Sequence, residues 1–347
     1  MEVRKGSVEK MVIKNIVQKI VLQYKKYGIY SAAKNAIYHV ITRERAVSYG
    51  DLHKDKVFYV IRSIDCNSPF YIGPINNLLA NYFYVISHIM YAERKNWIPV
   101  VDQLNYPVYN SVSFSVNGTF NAWEYYWKQP SGYLLEEVYK SKNVVLSKQN
   151  WFSEYDLGYD IKLYKKREIV SRYSSVMSKI HYNKVVKNSI DDILRKKRIK
   201  NKRILGVNYR FAGHSLKHFD KAKGHPVQPD IDVLINIVSD RIRRWNLEYI
   251  FIASDTEEAI NAFEKCFPDR VMYLARNRYS ESLQRGEHSE IYDSEAIYNT
   301  SLSYLAEMEL LAQCSCLIGS VNSGFRYALL KNNNQYEHIE ILDYGLI

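Results

Sequence analysis

The sequence predicts an α/β fold built on mostly parallel sheets. Short apolar runs typical of buried strands alternate with longer segments whose apolar residues recur every three or four positions. Polar or glycine-containing turns separate these segments, as in repeated β-turn-α units. Because 347 residues suffice for two domains, we expect two Rossmann-like domains facing a cleft, the C-terminal one a doubly wound parallel sheet. The expected divisions are a basic amphipathic helical segment at 1–50 and domains at 51–200 and 201–347.

The first domain is expected to begin with one βαβ unit. Residues 57–64 predict a buried strand, and a loop ending at Asn77 follows it. A helix is expected from Leu78 to about Asn96, and a short strand at 97–102. Residues 105–150 are less regular, and residues 162–203 are expected to be helical and basic. For that basic run, a solvated helix between domains is favoured over a nucleic-acid patch.

The second domain is expected to repeat the order of strand, turn and helix. Strands are predicted at 203–208, 248–254, 271–274, 315–319 and 339–342, and helices at 230–245, 256–267, 295–313 and from 325 onward. Asp255 or Thr256 is expected to cap the helix that follows the second of these strands. Ligands of such sheets bind beyond the carboxyl ends of the strands, so those ends are where a site is expected.

Composition places the chain among globular proteins. Apolar residues make up 47% and charged residues 24%, which excludes a disordered, collagen-like or disulfide-scaffold protein. Four cysteines form no CxxC pair, so reduced thiols are expected, with Cys314 and Cys316 in a buried strand region. We expect neither a signal peptide nor a transmembrane helix, because no stretch approaches about 20 uninterrupted apolar residues.

The positive charge is concentrated near the N-terminus. The formal net charge is +11, and residues 1–45 hold ten Lys/Arg against three acids. Apolar residues in 8–21 follow helical spacing, so this segment is expected to be a basic amphipathic helix. Such a helix fits two situations, an anionic membrane surface or packing on its own domain with solvated lysines.

Three strand ends in the second domain carry residues suited to bind a phosphorylated ligand. The first delivers Arg210, which can direct two N–H donors at a phosphate, and a long polar loop follows. The second ends at Asp255, which either caps a helix or accepts hydrogen bonds from a ribose or base. The third is followed by the turn Ser320–Gly324, whose small residues expose backbone N–H groups at a helix N-terminus.

These features favour a nucleotide-sugar glycosyltransferase over other nucleotide-binding classes. The turn at 320–324 is neither a Walker A loop nor a GxGxxG fingerprint, which argues against a kinase, an ATPase or an NAD-dependent enzyme. Since no DxD motif follows a strand in the second half, no metal is required. Basic residues can stabilise a leaving diphosphate in its place.

Three segments resemble motifs of the fucosyltransferase superfamily, which includes the α1,2-, α1,6- and protein O-fucosyltransferases and the bacterial nodulation fucosyltransferase. They are RILGVNYR with the loop after it, IFIASD, and LAEMELLAQCSCLIGSVNSGFRYAL, and the segment YIGPINNLLANYF is similar to that group's N-terminal loop and helix. The resemblance covers about residues 57–103 and 203–330. It implies a GT-B-like fold, an acceptor-side domain at 51–200 and a nucleotide-sugar-binding domain at 201–347.

The resemblance also implies roles for individual residues. Arg210 is similar to the arginine that contacts the donor β-phosphate, but Asn208 stands where the family usually has a histidine, and the usual acid after the arginine is missing. The remaining donor-binding residues implied are Asn76 or Asn77, His225, Asp255, Glu307, Ser320, Asn322, Ser323, Gly324 and Phe325. The alternative interpretation of His225 is an ordinary loop histidine with no role in binding.

The implied reaction is inverting, metal-independent transfer of a sugar, L-fucose from GDP-fucose, to a glycan acceptor in bacterial surface polysaccharide synthesis. An acceptor hydroxyl attacks the anomeric carbon with or without a general base. Candidate bases are Asp220, His214, His218 and Glu124. The aromatic run at 123–127 is expected in the core, with stacking on acceptor sugars as the alternative.

No cofactor is required by this interpretation beyond the GDP-sugar donor substrate. The partners expected are an oligosaccharide or lipid-linked glycan acceptor and an anionic membrane surface contacted through residues 1–45, with no nucleic acid. This predicts a cytoplasmic protein, peripheral on the inner face of the plasma membrane. Transfer from GDP-mannose or a UDP-sugar, a nucleic-acid-binding protein and an inactive scaffold remain the alternatives.

Overall fold

A four-stranded sheet forms the N-terminal part of the chain. The computed structural model describes residues 43–62, 78–104, 115–149, 152–197, 202–210, 225–276, 278 and 294–346. The sheet has the order β1-β4-β2-β3 and consists of β1 (Arg45–Val47), β2 (Phe58–Arg62), β3 (Ile98–Asp102) and β4 (Val144–Leu146). Strands β2, β3 and β4 are parallel, and β1 joins β4 antiparallel. The end of the segment predicted as helix at 1–50 is therefore a strand, and residues 1–42 lie outside the described residues.

Helix α1 (Leu78–Arg94) connects β2 to β3, which confirms the predicted βαβ unit. Residues on nearly all of its sides are buried, so it lies in the interior of the protein. Its buried polar side chains are paired. Asn81 exchanges two hydrogen bonds with Gln103, of 2.9 and 2.8 Å, and His88 Nδ1 lies 3.0 Å from the Tyr59 hydroxyl. Such pairing offsets the cost of burying polar groups.

Helix α2 (Leu135–Val138) lies between β3 and β4. A 3₁₀ turn at Ser153–Tyr155 and the helices α3 (Ile161–Tyr164), α4 (Arg167–Met177) and α5 (Lys184–Lys197) connect the N-terminal sheet to the C-terminal one. The prediction of helix over 162–203 is correct for α3 to α5 and wrong for the gaps between them. At the second gap, Tyr182 bridges to Trp127 and the Lys128 N–H donates to the His181 carbonyl at 2.8 Å. Pairing with a distant segment overrides the local helical preference there.

A five-stranded parallel sheet forms the C-terminal part, which confirms the predicted doubly wound architecture. Its order is β7-β6-β5-β8-β9. The strands are β5 (Ile204–Tyr209), β6 (Tyr249–Ser254), β7 (Val271–Met272), β8 (Cys316–Gly319) and β9 (His338–Ile341). The helices between them are α6 (Ile231–Arg244), α7 (Glu257–Cys266), α8 (Ser294–Ala312) and α9 (Ser323–Asn332). Strand β7 stops at Met272, two residues before its predicted end, because only Val271 and Met272 pair with β6.

One hydrophobic core links the helices of both parts. It contains residues of α1, α4 and α5 together with residues of α8 and α9. The aromatic run at 123–127 contributes Trp123, Tyr125, Tyr126 and Trp127, all at most 3% exposed, which confirms the predicted core position. Cys314 and Cys316 are buried free thiols, as expected. The domain boundary near 200 stays a prediction. Among the described helices, none combines the length and apolarity needed to cross a membrane.

Candidate anion-binding site at the carboxyl edge of the C-terminal sheet

The direction of chain winding reverses at the centre of the C-terminal sheet. From β5 the chain runs outward to β6 and β7, then returns to β8 and β9 on the other side of β5. The crevice at such a reversal, beyond the carboxyl ends of the two central strands, is where ligands bind in open α/β sheets. Arg210 directly follows β5, and the turn Ser320–Gly324 directly follows β8. Two of the three predicted strand-end features therefore flank this reversal.

The turn after β8 presents the N-terminus of α9 to this edge. Asn322 caps the helix, with its side-chain oxygen accepting a hydrogen bond from the Phe325 N–H at 3.0 Å. The backbone N–H groups of the first helical turn carry the positive end of the helix dipole. Helix α9 spans 10 residues, and Ser323 at its start is partly exposed while Gly324 and Phe325 are buried.

Two glycines bring this turn close to its neighbours. A Cβ at Gly319 would lie 2.7 Å from the Asn208 carbonyl oxygen and 2.8 Å from the Phe325 ring. At Gly324 a Cβ would lie 2.8 Å from Met308 Sδ and 3.1 Å from Asn208 Nδ2. Any larger residue would therefore push the turn away from β5.

Asn208 joins the two central strand ends. Its side-chain Oδ1 accepts a hydrogen bond of 2.7 Å from Asn322 Nδ2, and both residues are at most 8% exposed. Asn208 thus holds the residue that caps α9. This contact gives the position a structural task in addition to the donor-binding role implied by the family resemblance.

Arg210 and Asp255 lie side by side at the ends of β5 and β6. Arg210 Nε is 3.8 Å from Asp255 Oδ2, and the two side chains are 29% and 16% exposed. The guanidinium is thus held by a carboxylate while part of it remains accessible to solvent. Asp255 does not cap α7. The capping position belongs to Thr256, whose buried hydroxyl makes no hydrogen bond to the helix.

Glu307 is fully buried and holds two arginines that the sequence analysis missed. Its Oε2 accepts from Arg276 Nε at 2.9 Å and its Oε1 from Arg278 Nη2 at 3.1 Å. Both arginines also donate to the carbonyl of Ser254, the last residue of β6. The two ion pairs engage both oxygens of Glu307, and the contact with a base implied by the resemblance stays a prediction. The signal in the sequence was a carboxylate inside the apolar run of α8, which requires a cationic partner.

The pKa values of the two guanidinium groups shift in opposite directions. Burial lowers the pKa of Arg276, but the carboxylates of Glu307 and Asp255 outweigh it, so that the pKa is raised overall. For Arg278, burial dominates and lowers its pKa. The charge of Asp255 thus acts on Arg276 as well as on Arg210.

Two other predicted site residues have different surroundings. Both carboxylate oxygens of Glu124 accept hydrogen bonds, from Gln129 Nε2 at 2.6 Å and from Thr119 Oγ1 at 3.0 Å. Gln129 in turn bonds the backbone of Val101 in β3, so Glu124 helps to fix the loop after that strand, and its role as a base stays a prediction. His225 Nδ1 lies 2.9 Å from the Tyr159 hydroxyl, which ties the end of the β5–α6 connection to the loop before α3. Asn76, Asn77, His214, His218 and Asp220 lie outside the described residues.

Residues of the N-terminal part approach the same edge. Arg326, in the first turns of α9, has its guanidinium 4.4 Å from the Phe83 ring centroid, and its Nη2 is 3.3 Å from Asp156 Oδ1. Near the start of α8, the Tyr298 hydroxyl accepts a hydrogen bond of 3.0 Å from Asn117 Nδ2. The start of α9 and the start of α8 are therefore both in contact with the N-terminal part.

The fold and the site together define an α/β protein with a candidate anion-binding edge at a topological switch point. Within the described residues, no cluster of three or more His, Cys, Asp or Glu side chains has the arrangement of a metal site.

When the chain is compared with known proteins, matches are found among solved structures but not among family models or curated proteins. No family model matches the chain, and no curated protein matches it. The crystal structure of fucosyltransferase NodZ from Bradyrhizobium is 15% identical, with 79% of this chain and 92% of that chain covered at a TM-score of 0.43. The NodZ alpha-1,6-fucosyltransferase soaked with GDP-fucose is 16% identical, with the same coverage and a TM-score of 0.44. POFUT1 in complex with GDP is 9% identical, with 84% of this chain and 100% of that chain covered at a TM-score of 0.42.

Proposed function

We propose that the protein is a glycosyltransferase that takes its sugar from a nucleoside diphosphate sugar. The observation that carries the proposal is the placement of Arg210 and the N-terminus of α9 on either side of the switch point of the C-terminal sheet. A guanidinium that can donate two parallel hydrogen bonds, together with the backbone N–H groups at a helix N-terminus, suits the two phosphates of a diphosphate. Neither a P-loop nor a dinucleotide fingerprint is present in the sequence to suggest another phosphate chemistry.

The same arrangement suits catalysis as well as binding. When a glycosyl bond to a diphosphate breaks, negative charge develops on the leaving oxygen. Preorganised donors aimed at that oxygen stabilise the transition state more than the ground state. Arg210 and the N–H groups of the first turn of α9 are those donors in this proposal. The direct attack of an acceptor hydroxyl from the opposite face makes the transfer inverting.

GDP-fucose is the donor that we propose, on the resemblance of three motifs around Arg210, Asp255 and Ser323. Transfer from GDP-mannose or a UDP-sugar is the second candidate, because Asn208 replaces the usual histidine and is bonded to Asn322. Binding of the diphosphate by arginine and backbone would require no metal. The acceptor that we propose is a glycan of a bacterial surface polysaccharide. Of the candidate bases, Glu124 accepts a hydrogen bond at each carboxylate oxygen.

The test is a thermal-shift panel with GDP, UDP and ADP on the wild type and on Arg210→Ala. A rise in Tm selective for GDP that the substitution abolishes is the expected result. A rise selective for UDP would retain the transferase and remove the fucosyl donor, whereas no rise with any nucleotide would refute the proposal. Loss of this one cation should cost about 2–4 kcal/mol of transition-state stabilisation, as for a lost oxyanion donor. Turnover within threefold of wild type would remove Arg210 from the site.

We further propose that residues 1–45 bind an anionic membrane surface and hold the enzyme near a lipid-linked acceptor at the inner face of the plasma membrane. The support is the net charge of +7 in this segment, ten Lys/Arg minus three acids. Deleting residues 1–25 should weaken binding to vesicles containing phosphatidylserine and leave transfer to a soluble acceptor unchanged. Equal vesicle binding by the shortened protein would contradict the proposal.

A further inference from the structure

Five charged side chains lie between the interior of the C-terminal part and its carboxyl edge, connected by ion pairs and one backbone contact. In order, this series consists of Arg278, Glu307, Arg276, Asp255 and Arg210. Glu307 lies 3.1 Å from Arg278 and 2.9 Å from Arg276, Arg276 donates to the carbonyl of Ser254, the residue before Asp255, and Arg210 lies 3.8 Å from Asp255. The exposed side chain of Glu257 approaches Arg278 from the opposite end, at 3.8 Å.

Side-chain exposure rises from Glu307 toward Arg210. The side chain of Glu307 is fully buried, and those of Arg278 and Arg276 are 1% and 9% exposed. Asp255 is 16% exposed and Arg210 29%. The buried end is therefore rigid, because buried charges held by several hydrogen bonds have few alternative rotamers.

Backbone contacts anchor the buried end to the sheet. Arg276 Nη2 and Arg278 Nε donate to the Ser254 carbonyl at 2.8 and 3.2 Å, and Arg278 Nη2 donates to the Leu274 carbonyl at 2.6 Å. These bonds connect the last residue of β6 with the chain that follows β7. Asp255 is the next residue after Ser254, so the same bonds restrain its backbone position.

We propose that Glu307 is a positioning residue that orients Arg210 toward the diphosphate. Glu307 fixes Arg276, Arg276 holds the Ser254 carbonyl and with it the backbone that carries Asp255, and Asp255 holds the guanidinium of Arg210 at the edge of the sheet. Glu307 itself touches no ligand. This inference rests on the proposed function, since it concerns how the same diphosphate site is assembled.

Helix α8 provides a matched control. Glu309 lies two residues after Glu307, is 9% exposed, and accepts hydrogen bonds from the hydroxyls of Tyr182 at 2.9 Å and Tyr327 at 2.6 Å. Glu307→Gln and Glu309→Gln therefore each remove one buried charge from the same helix, and only the first lies on the series that ends at Arg210. A purely structural role predicts that both variants behave alike.

The experiment measures GDP binding by titration calorimetry at a temperature where each variant is folded. We expect both glutamine variants to lower Tm. Glu307→Gln should raise the Kd for GDP at least tenfold, while Glu309→Gln should leave it within twofold of wild type. Equal Kd values for the two variants would overturn the inference. Failure of the wild type to bind any nucleotide would instead overturn the proposed function.

A double-mutant cycle identifies the route of the effect. If Glu307 acts through Arg210, then Glu307→Gln should change the Kd less than twofold in a protein that already carries Arg210→Ala. Full additivity of the two substitutions would refute transmission through Arg210. Asp255→Asn tests the middle of the series at a partly exposed position, so it remains informative where the buried variant does not fold. It should weaken GDP binding at least fivefold, and an unchanged Kd would contradict the inference.

Discussion

Two substitutions of Asn322 separate the stability of α9 from binding of an anion at its N-terminus. Asn322→Ala removes the cap on the Phe325 N–H and leaves the buried Oδ1 of Asn208 without its donor. Loss of a cap costs about 1 kcal/mol, and an unsatisfied buried acceptor about 1–3 kcal/mol. Together these give a destabilisation of about 2–4 kcal/mol, measured as a fall in the free energy of unfolding in urea.

Asn322→Asp retains the cap and adds a negative charge. A carboxylate is as good a capping group as an amide and interacts favourably with the helix dipole. The Asn208 amide can rotate to donate its N–H to the new carboxylate. We therefore expect the free energy of unfolding of Asn322→Asp to lie within about 1 kcal/mol of the wild-type value, because the cap is kept and the favourable interaction with the helix dipole offsets the cost of placing a charge there.

The two variants should rank in the opposite order for ligand binding. Two unit charges about 5 Å apart repel by about 3 kcal/mol at an effective dielectric constant of about 20. That energy corresponds to a roughly 100-fold loss of affinity for GDP. Calorimetry with GDP measures the loss, and guanosine, which has no phosphate, is the control whose binding should not change. An Asn322→Asp protein that binds GDP within twofold of wild type would refute a phosphate at the first turn of α9.

Two further substitutions test the packing around the site. Gly319→Ala should destabilise the protein by about 1–3 kcal/mol, because the new Cβ would lie 2.7 Å from the Asn208 carbonyl oxygen. An unchanged midpoint of urea unfolding would mean that β5 and β8 can separate without cost. Arg326→Met should lower the free energy of unfolding by about 1–2 kcal/mol, because it removes the ion pair with Asp156, whose side chain is 34% exposed. The methionine keeps an apolar side chain over the Phe83 ring. A Tm equal to that of wild type would show that this contact between the two parts of the chain is energetically neutral.

The strands and helices of the C-terminal part followed from hydrophobic periodicity. Strand β5 is buried along its whole length, and so is all of β6 apart from its first residue, so their apolar runs were unambiguous. Strands β1 and β4 were missed because each has only three residues, and pairing with each other and with β2 defines them. A run that short has no periodicity to detect, and tertiary contacts decide its conformation.

The candidate site was predictable where it follows a strand directly and not where it depends on contacts across the fold. Arg210, Asp255 and Asn322 each lie within three residues of a strand end, and the parallel register brings those ends to one edge. Arg276 and Arg278 belong to an irregular segment after β7, and nothing local directs them to Glu307 in α8. The hydrogen bonds that Glu124 accepts from Gln129 and Thr119 likewise could not be predicted from the sequence, and its role as a base stays a prediction.

The asparagine at 208 is best understood together with the residues that contact it. Its Nδ2 lies 3.1 Å from where a Cβ of residue 324 would be, and its Oδ1 holds the Asn322 side chain that caps α9. A histidine at 208 would place a wider ring against Gly324 and would have to replace the amide as acceptor for Asn322. The departure from the family motif is therefore coupled to the turn after β8. Because the amide side chain bonds the cap and lacks a group that titrates near neutral pH, Asn208 serves to position the turn and leaves the charged contact at the end of β5 to the adjacent Arg210.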